Sequence, residues 1–264
     1  ENLLAIFSDV ILNPAFHENE IQKKKKEIIS QIEKIKDNPD ALTELLFKKE
    51  LFQGTRWASP AIGLRKSVEK IDRTEVIKTY FQYFRPNNAV LAVGGKFDQS
   101  FKDKVIKQFS SWQAKEVNVD IGTVLNRPST TRIVFYHQPD LQQAQIIMGH
   151  ASISRSHSDY LKYRISNFIL GGNFSSRLNQ YVRDDLGLTY SIASSVESFK
   201  DIGVFKIETF CAHEKIVKTI DETYKVFKKF KLDGVNLKEL ESTKNMMIGQ
   251  FPGLLETVDS QAVL

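Results

Sequence analysis

The chain has 264 residues, a formal net charge of +5, 41% hydrophobic residues and 26% charged residues. These values are ordinary for a globular protein and exclude an intrinsically disordered or fibrous chain. No stretch is apolar for long enough to cross a bilayer, so we expect no membrane span. The single cysteine, Cys211, excludes an internal disulfide and a cysteine-based zinc cluster, and we expect it to be a small buried side chain.

The first half of the chain predicts a series of helices. Apolar residues recur at helical spacing, and proline-containing turns separate the segments. The continuous apolar run at residues 89–93 is followed by Gly94 and Gly95, so we expect a buried strand there. The predicted helices of this half cover residues 1–12, 21–35, 41–52, 72–84 and 101–109.

The positive charge does not indicate a nucleic-acid-binding protein. The lysines are dispersed except for residues 23–26, where Glu20 and Glu27 lie nearby in the sequence. No aromatic side chain is interleaved to stack on bases. We therefore interpret this run as the solvated face of a helix and expect no nucleic-acid partner.

A change of pattern separates the two halves. Periodicity lapses after residue 114, and Gly, Pro, Ser and Thr cluster up to residue 131. We place a linker at residues 116–131, between a first domain at 1–115 and a second at 132–264. Both ends of the chain fall inside predicted helices, so we expect the first and last parts of the fold to lie outside this chain.

The second half mixes strands with helices. Paired strands beside runs of helices indicate an α+β fold of mainly antiparallel sheets with helices packed on one face of each. The predicted strands cover residues 132–136, 144–149, 189–196 and 203–210, and the predicted helices cover 158–170, 178–186, 214–230 and 237–248.

The candidate site follows the helix at 158–170. Ser175 or Ser176 can cap the helix at 178–186, and Gly187 ends it. Arg183 and Tyr190 then lie just before and just after this turn, where a guanidinium and a phenol can donate hydrogen bonds to a peptide carbonyl or to the oxyanion formed from it.

An ordinary structural explanation of the same two residues stays open. Arg183 can pair with a nearby carboxylate, and Tyr190 can lie in a core. The spacing alone does not decide between this explanation and a substrate-binding role.

Several segments occur in a recognisable order along the chain. They are Asn13-Pro14-x-Phe16, the isoleucine-faced helix, Asp37-Asn38-Pro39-Asp40, Arg85-Pro86-Asn87-Asn88, Val90-Leu91-Ala92-Val93-Gly94-Gly95 and Gly171-Gly172-x-Phe174-Ser175-Ser176-Arg177-Leu178. As a set they resemble the pitrilysin/insulinase family of zinc metallopeptidases, which carry an inverted H-x-x-E-H motif. The mitochondrial processing peptidase-like and bacterial two-domain members are the most similar.

The resemblance implies a role for the candidate site. In this family two α+β units face each other around a chamber that admits unfolded peptides, and one unit binds zinc through two histidines and a distant glutamate. The facing unit supplies an arginine and a tyrosine that hold the substrate. Arg183 and Tyr190 match that pair, and Gly171 and Gly172 match the adjoining loop. The strand at 189–196 is a further candidate for binding an extended peptide along its edge.

The zinc half of the resemblance is incomplete. No H-x-x-E-H motif occurs, and the five histidines never form a pair at helical ligand spacing. The liganding glutamate of the family corresponds to Gln31, and an auxiliary glutamate corresponds to Lys24. A neutral amide and a cation both weaken zinc binding, and neither Glu27 nor Glu33 lies at a replacing position. We therefore expect no metal ligand and no catalytic residue in this chain.

Three functions follow from the resemblance. The first is a zinc-deficient subunit that pairs with a zinc-bearing homologue, or with a second copy of itself, and contributes Arg183 and Tyr190 to peptide hydrolysis; zinc is then expected in the partner. The second is an active zinc endopeptidase with H-x-x-E-H before Glu1. The third is a non-catalytic scaffold subunit. The resemblance also suggests a bacterial periplasmic or cell-envelope location.

Overall fold

The computed structural model describes residues 2–118 and 130–263. Most of the expected linker at 116–131 lies outside the described residues, so that domain boundary stays a prediction. The chain divides into two compact units, the first comprising Glu1–Lys34, Pro60–Gly122 and Phe251–Leu264, and the second Ile35–Ser59 and Thr123–Gln250. Within the described ranges, no helix is both long enough and apolar enough to span a membrane.

Helices dominate the described residues. The predicted helices in the first half are confirmed with small shifts at their ends, and the predicted α+β class is confirmed by the presence of an antiparallel sheet in the second unit. The α-helices are α1 (Asn2–Leu12), α2 (Glu18–Ile35), α3 (Pro39–Leu51), α4 (Arg65–Lys70), α5 (Arg73–Tyr83), α6 (Gln99–Phe109), α7 (Tyr160–Leu170), α8 (Ile216–Asp233), α9 (Leu237–Gln250) and α10 (Val258–Val263).

Aromatic packing organises the first unit around α5. Asp72 caps this helix, because its carboxylate accepts a hydrogen bond from the Glu75 amide at 2.8 Å. The Tyr80 ring lies 5.3 Å from that of Phe16 and 4.7 Å from that of Phe84. The turn that begins α2 is therefore packed against α5.

Two predicted strands are wrong. Residues 89–93 and 132–136 have no strand conformation, and their side chains are largely exposed, with Val90 at 97% and Phe135 at 81%. An apolar run supplies β-propensity, but a strand forms only when a neighbouring backbone pairs with it. Among the described residues, no strand runs beside either segment.

The sheet of the second unit has three antiparallel strands in the order β1 (Gln143–Ser152), β3 (Gly203–Ala212), β2 (Ile192–Ser198). Three of the predicted strands are therefore confirmed. β2 begins later than the predicted residue 189, because the Thr189 hydroxyl accepts a hydrogen bond from the Ser191 amide at 3.1 Å and so closes a local turn before the strand.

One face of the sheet carries the hydrophobic core of this unit. Side chains of β2 and β3 on this face meet α7, α8 and the segment that joins α7 to β2. The buried members are Leu170, Leu178, Val182, Leu188, Ile192, Phe205 and Ile207. Cys211 is also buried, as the sequence predicts.

The opposite face is covered by α3 through a cluster of charges. Lys206 Nζ lies 2.7 Å from Glu44, 3.0 Å from Glu208 and 3.5 Å from Glu197, and its side chain is only 10% exposed. Lys48 Nζ lies 2.9 Å from Glu44 and 2.8 Å from Glu197. We call these five residues the α3 ion cluster.

The cluster shifts the pKa values of Lys206 and Glu44. Burial alone would lower the pKa of Lys206, but hydrogen bonds to Glu44 and Glu208 raise that pKa to about 12. Burial opposes ionisation of Glu44 as well, yet hydrogen bonds from Lys206 and Lys48 hold its pKa below the usual value. Lys206 and Glu44 therefore stay charged near neutral pH.

Candidate functional site

The loop after α7 passes very close to β2. A Cβ on Gly171 would lie 2.6 Å from Ser194 Oγ and 2.8 Å from Leu178 Cδ1, and one on Gly172 would lie 2.7 Å from the Phe168 Cα. Real Cβ atoms do not approach other atoms so closely, so both positions require glycine. Close packing thus explains the two glycines, and their predicted role in substrate binding stays a prediction.

Asn179 fixes the loop to β2. Its side chain is 7% exposed, and Nδ2 lies within hydrogen-bonding distance of the Asn173 carbonyl (3.1 Å), Ser176 Oγ (3.1 Å) and the Ile192 carbonyl (2.9 Å). A buried amide in contact with three acceptors leaves the loop little freedom to move.

Arg177 fixes the same loop to the start of α9. Its guanidinium donates two hydrogen bonds to the Glu239 carboxylate, both at 2.7 Å, and one to the Gly234 carbonyl at 2.9 Å. The hydrogen bond from Arg177 is the main reason that the pKa of Glu239 lies below its usual value. Glu239 and Asn236 also form the reciprocal cap of α9, so the bidentate pair joins two ordered elements.

The segment that carries Arg183 is a π-helix, Asn179–Asp185, where the sequence predicts an α-helix. The Leu186 amide bonds to the Tyr181 carbonyl at 3.1 Å, five residues earlier. Neither predicted serine cap forms. Gly187, with φ of +55°, ends the segment as predicted. π-helices are rare and occur often at functional sites.

Arg183 lies between two aromatic rings. Its Cζ is 4.4 Å from the centroid of Phe174 and 5.7 Å from that of Tyr190. Asp184 is 3.6 Å from Nη1, and the Arg183 side chain is 22% exposed. We call Phe174, Arg183 and Tyr190 the aromatic–arginine cluster.

Apart from the ion pair with Asp184, the guanidinium of Arg183 has no partner for its donors among the described residues. Nη1 is buried and makes no hydrogen bond, since Asp184 at 3.6 Å is beyond hydrogen-bonding distance. A partly buried guanidinium whose donors make no hydrogen bond is costly for a fold, so it marks a place where an external acceptor binds favourably.

The exposure of the rings separates the two explanations of Tyr190. Its side chain is 79% exposed, which contradicts the alternative of a core tyrosine.

For Arg183, the ion pair with Asp184 agrees with the alternative that this arginine pairs with a nearby carboxylate. Sequence reasoning missed Phe174, because a phenylalanine is normally expected in a core and this one is 72% exposed.

The outer edge of β2 is already used near its start. The Ser194 amide donates to the Gly171 carbonyl at 3.0 Å, and the Ser194 carbonyl accepts from Asn167 Nδ2 at 3.1 Å. A peptide cannot pair with β2 at Ser194 without breaking both bonds. The expectation of peptide addition along this edge is therefore wrong for this part of the strand.

The predicted zinc-ligand position lies on α2 in the first unit. Gln31 is exposed, and Lys24 Nζ pairs with Glu27 at 2.6 Å, which lowers the pKa of Glu27. Glu33 is also paired, with Arg65 at 3.1 Å. Across residues 2–118 and 130–263, no three histidine, cysteine, aspartate or glutamate side chains are grouped to hold a metal ion. The residues present therefore do not fit a zinc site.

Comparison with protein-family models gives two consecutive matches. The model of the peptidase M16 inactive domain matches residues 70–247, and that of insulinase (peptidase family M16) matches residues 1–63. These matches confirm the resemblance on which the interpretation of the sequence rests.

Curated relatives are similar over most of the chain. An uncharacterized zinc protease YmxG of Bacillus subtilis is 28% identical over 98% of this chain and 62% of its own length. A non-peptidase homolog YmxG of Helicobacter pylori is 27% identical over 96% of this chain and 58% of its own length. The chain thus spans only about six-tenths of these relatives.

Solved structures share the fold. The peptidase M16 inactive domain from Pseudomonas fluorescens has a TM-score of 0.84 and 25% identity, covering 94% of this chain and 60% of that one. A chain of Complex III2 from Candida albicans has a TM-score of 0.79 at 16% identity, covering 98% of this chain and 64% of that one, and shows the fold alone.

Proposed function

Because the chain belongs to the insulinase (M16) peptidase family, we propose that it is a substrate-positioning, non-catalytic part of a peptidase-fold assembly. In this role Arg183 and Tyr190 bind an unfolded peptide, and a zinc-bearing homologue supplies the hydrolytic centre. A second copy of this chain is the alternative partner.

The Arg183 guanidinium, which has an ion pair with Asp184 but no hydrogen bond within the described part of the chain, carries this proposal. It lies 5.7 Å from the Tyr190 ring, and neither the guanidinium nor the Tyr190 hydroxyl donates a hydrogen bond to another described residue. Two neighbouring free donors match the needs of a peptide carbonyl, which accepts two hydrogen bonds. The same donors stabilise the oxyanion if the carbonyl is attacked.

The charges on α2 support the assignment of the metal to a partner. Zinc chemistry needs three protein ligands and an open position for water. Gln31 offers a neutral oxygen, and Lys24 and Arg65 neutralise nearby carboxylates. In this proposal the zinc ion and the glutamate that activates its water both belong to the zinc-bearing homologue.

The name of one relative supports a non-catalytic part. The Helicobacter pylori relative is named a non-peptidase homolog, whereas the Bacillus subtilis relative is named an uncharacterized zinc protease. The periplasmic or cell-envelope location suggested by the resemblance belongs to the same proposal.

The decisive experiment measures hydrolysis of an unfolded peptide by the full-length protein mixed with a zinc-bearing homologue. We expect Arg183→Ala to lower kcat about 100-fold or more, which corresponds to losing roughly 3 kcal/mol of transition-state stabilisation. Tyr190→Phe, which removes only the hydroxyl, is expected to have a smaller effect in the same direction.

Arg155→Ala is the matched control, because this exposed arginine lies outside the cluster and contacts the Tyr160 ring. It is expected to leave turnover unchanged. Unchanged turnover in both the Arg183 and Tyr190 variants would contradict the proposal. Tightly bound stoichiometric zinc in the isolated protein would contradict the assignment of the metal to the partner.

A further inference from the structure

The outer side of α8 carries apolar side chains that the fold leaves in solvent. Val217, Tyr224 and Leu232 are 72%, 59% and 74% exposed. Their spacing along the sequence places all three on one side of a helix. Each of them forgoes the stabilisation that burial provides, so their position needs an explanation beyond packing within the described residues.

The inner side of α8 is a separate surface that attaches the helix to its unit. Val226, Phe227 and Phe230 pack against the hydrophobic core of the second unit. Thr219 and Thr223 on the same side are fully buried. The helix is therefore held in one orientation and presents its opposite side to solvent.

Lysines surround the exposed apolar side chains of α8. Lys225 pairs with Glu222 at 2.9 Å, and the other lysines of this side have no ion-pair partner among the residues that the structure describes. The five exposed lysines are Lys218, Lys225, Lys228, Lys229 and Lys231. Against them stand two carboxylates, Asp221 and Glu222, which leaves a net charge of about +3. We call Val217, Tyr224, Leu232 and the five lysines the α8 basic face.

The stability of the helix does not explain these lysines. Like charges three or four residues apart on a helix repel each other, and Lys225 has such neighbours in Lys228 and Lys229. A cation in the last turn of a helix is favourable, but of the five only Lys231 lies there. The α8 basic face therefore costs the isolated fold free energy and attracts an anionic partner.

The spacing of the apolar side chains fits a membrane surface better than a protein. From Val217 to Leu232 the helix advances by about 22 Å. Protein interfaces concentrate their apolar contacts near the centre of one patch, whereas a bilayer offers a continuous surface to separate anchors. Lysine stems can also lie along apolar neighbours while the ammonium groups reach the phosphates of lipids.

We propose that the α8 basic face binds the surface of an anionic lipid bilayer, with the helix parallel to the membrane. The lysines contact the lipid phosphates, and Val217, Tyr224 and Leu232 enter the layer at the level of the headgroups. This inference is independent of the proposed function, because α8 carries no residue of the aromatic–arginine cluster.

The test measures cosedimentation of the full-length protein with vesicles. One set of vesicles contains only phosphatidylcholine, and the other contains equal parts of phosphatidylcholine and the anionic phosphatidylglycerol. We expect binding to the anionic vesicles to be at least about 10-fold tighter and to weaken as salt is added. The double variant Lys228→Gln/Lys229→Gln should weaken it about 30-fold, or about 2 kcal/mol, because each lysine near an anionic surface contributes to binding.

Two kinds of variant separate the face from the overall charge. Lys23→Gln/Lys26→Gln is the matched control, because it removes the same charge from α2, a lysine-rich helix without an exposed large hydrophobic residue. It should weaken binding by less than about 2-fold. Tyr224→Ser and Leu232→Ser keep every charge, and each should weaken binding roughly 5-fold or more, because an apolar anchor is lost.

Urea denaturation checks that the variants fold, since all of the substituted side chains are exposed and stability should stay unchanged. Equal binding to both kinds of vesicle, or to neither, overturns the proposal. The same holds if the α8 double variant weakens binding no more than the α2 control does. Binding to poly-glutamate but not to anionic vesicles also overturns it, and would assign the face to an acidic protein.

Discussion

Lys206→Met is the sharpest test of what holds α3 on the sheet. The substitution keeps most of the apolar stem but removes the charge that meets Glu44, Glu197 and Glu208. Glu44 and Glu197 then share Lys48 as the remaining cation of the cluster, and Glu208 loses its ion pair with Lys206. The loss is expected to destabilise the second unit.

The magnitude follows from the titration of Lys206. Its pKa rises from 10.5 to about 12, and one pKa unit corresponds to about 1.4 kcal/mol, so the cluster favours the charged form by about 2 kcal/mol. Breaking a fully buried pair costs roughly 3–5 kcal/mol. We expect Lys206→Met to lower the free energy of unfolding by about 2 kcal/mol rather than by the cost of breaking a fully buried pair. The reason is that Glu208 is 44% exposed and its carboxylate can turn to water.

Urea denaturation at pH 7 and at rising pH measures this effect. A raised lysine pKa contributes stability that is complete below pH 10.5 and is lost as the pH rises through about 12. The difference between the unmodified protein and Lys206→Met should therefore be constant near neutrality and shrink above pH 10.5.

Lys162→Met is the matched control, because Lys162 pairs with Asp159 at 2.7 Å but is 81% exposed. This variant should not change stability measurably. If Lys206→Met is no less stable than Lys162→Met, the cluster does not stabilise the attachment of α3.

Three further predictions concern the loop that carries the site. Gly171→Ala should lower stability by roughly 1–3 kcal/mol in urea denaturation, because its Cβ overlaps Ser194, whereas Gly249→Ala in α9 has open space and should be neutral or stabilising. Asn179→Ala should cost roughly 1–3 kcal/mol by the same measurement, because buried acceptors lose their donor, and should reduce hydrolysis of the unfolded peptide. Arg177→Met should lower the free energy of unfolding by about 1 kcal/mol at pH 7. Because the fold lowers the pKa of Glu239, the difference in stability between this variant and the unmodified protein should disappear as the pH falls from 4.5 through the lowered pKa of Glu239.

Much of the candidate site can be predicted from the sequence, because Arg183 and Tyr190 are only a few residues apart in the chain. The interval from Arg183 to Tyr190 spans one helix end and one turn, and Gly187 ends the helix whatever the rest of the chain does. These features place the two side chains near each other before any tertiary contact is known. The type of helix cannot be predicted from nearby residues in the same way. The π-helix forms where Leu178 and Val182 are buried in the core, so its geometry depends on tertiary packing.

The strands show the opposite case. Residues 89–93 and 144–149 are both rich in apolar side chains, but only the second segment has a backbone partner in β3. Propensity is a property of the residue, whereas pairing depends on which other segment arrives beside it. Sequence patterning therefore predicts both strands and is right about one.

The sequence by itself determined most of the α-helices, the family and the position of Arg183 and Tyr190 along the chain, because hydrogen bonds and apolar periodicity within a helix involve residues a few positions apart. Only the tertiary structure decided that Phe174 stays exposed over Arg183 and that Lys206 meets Glu44, 162 positions away. Such contacts depend on the packing of whole elements, and no local pattern of residues encodes which distant side chain will supply the opposite charge or leave a ring uncovered.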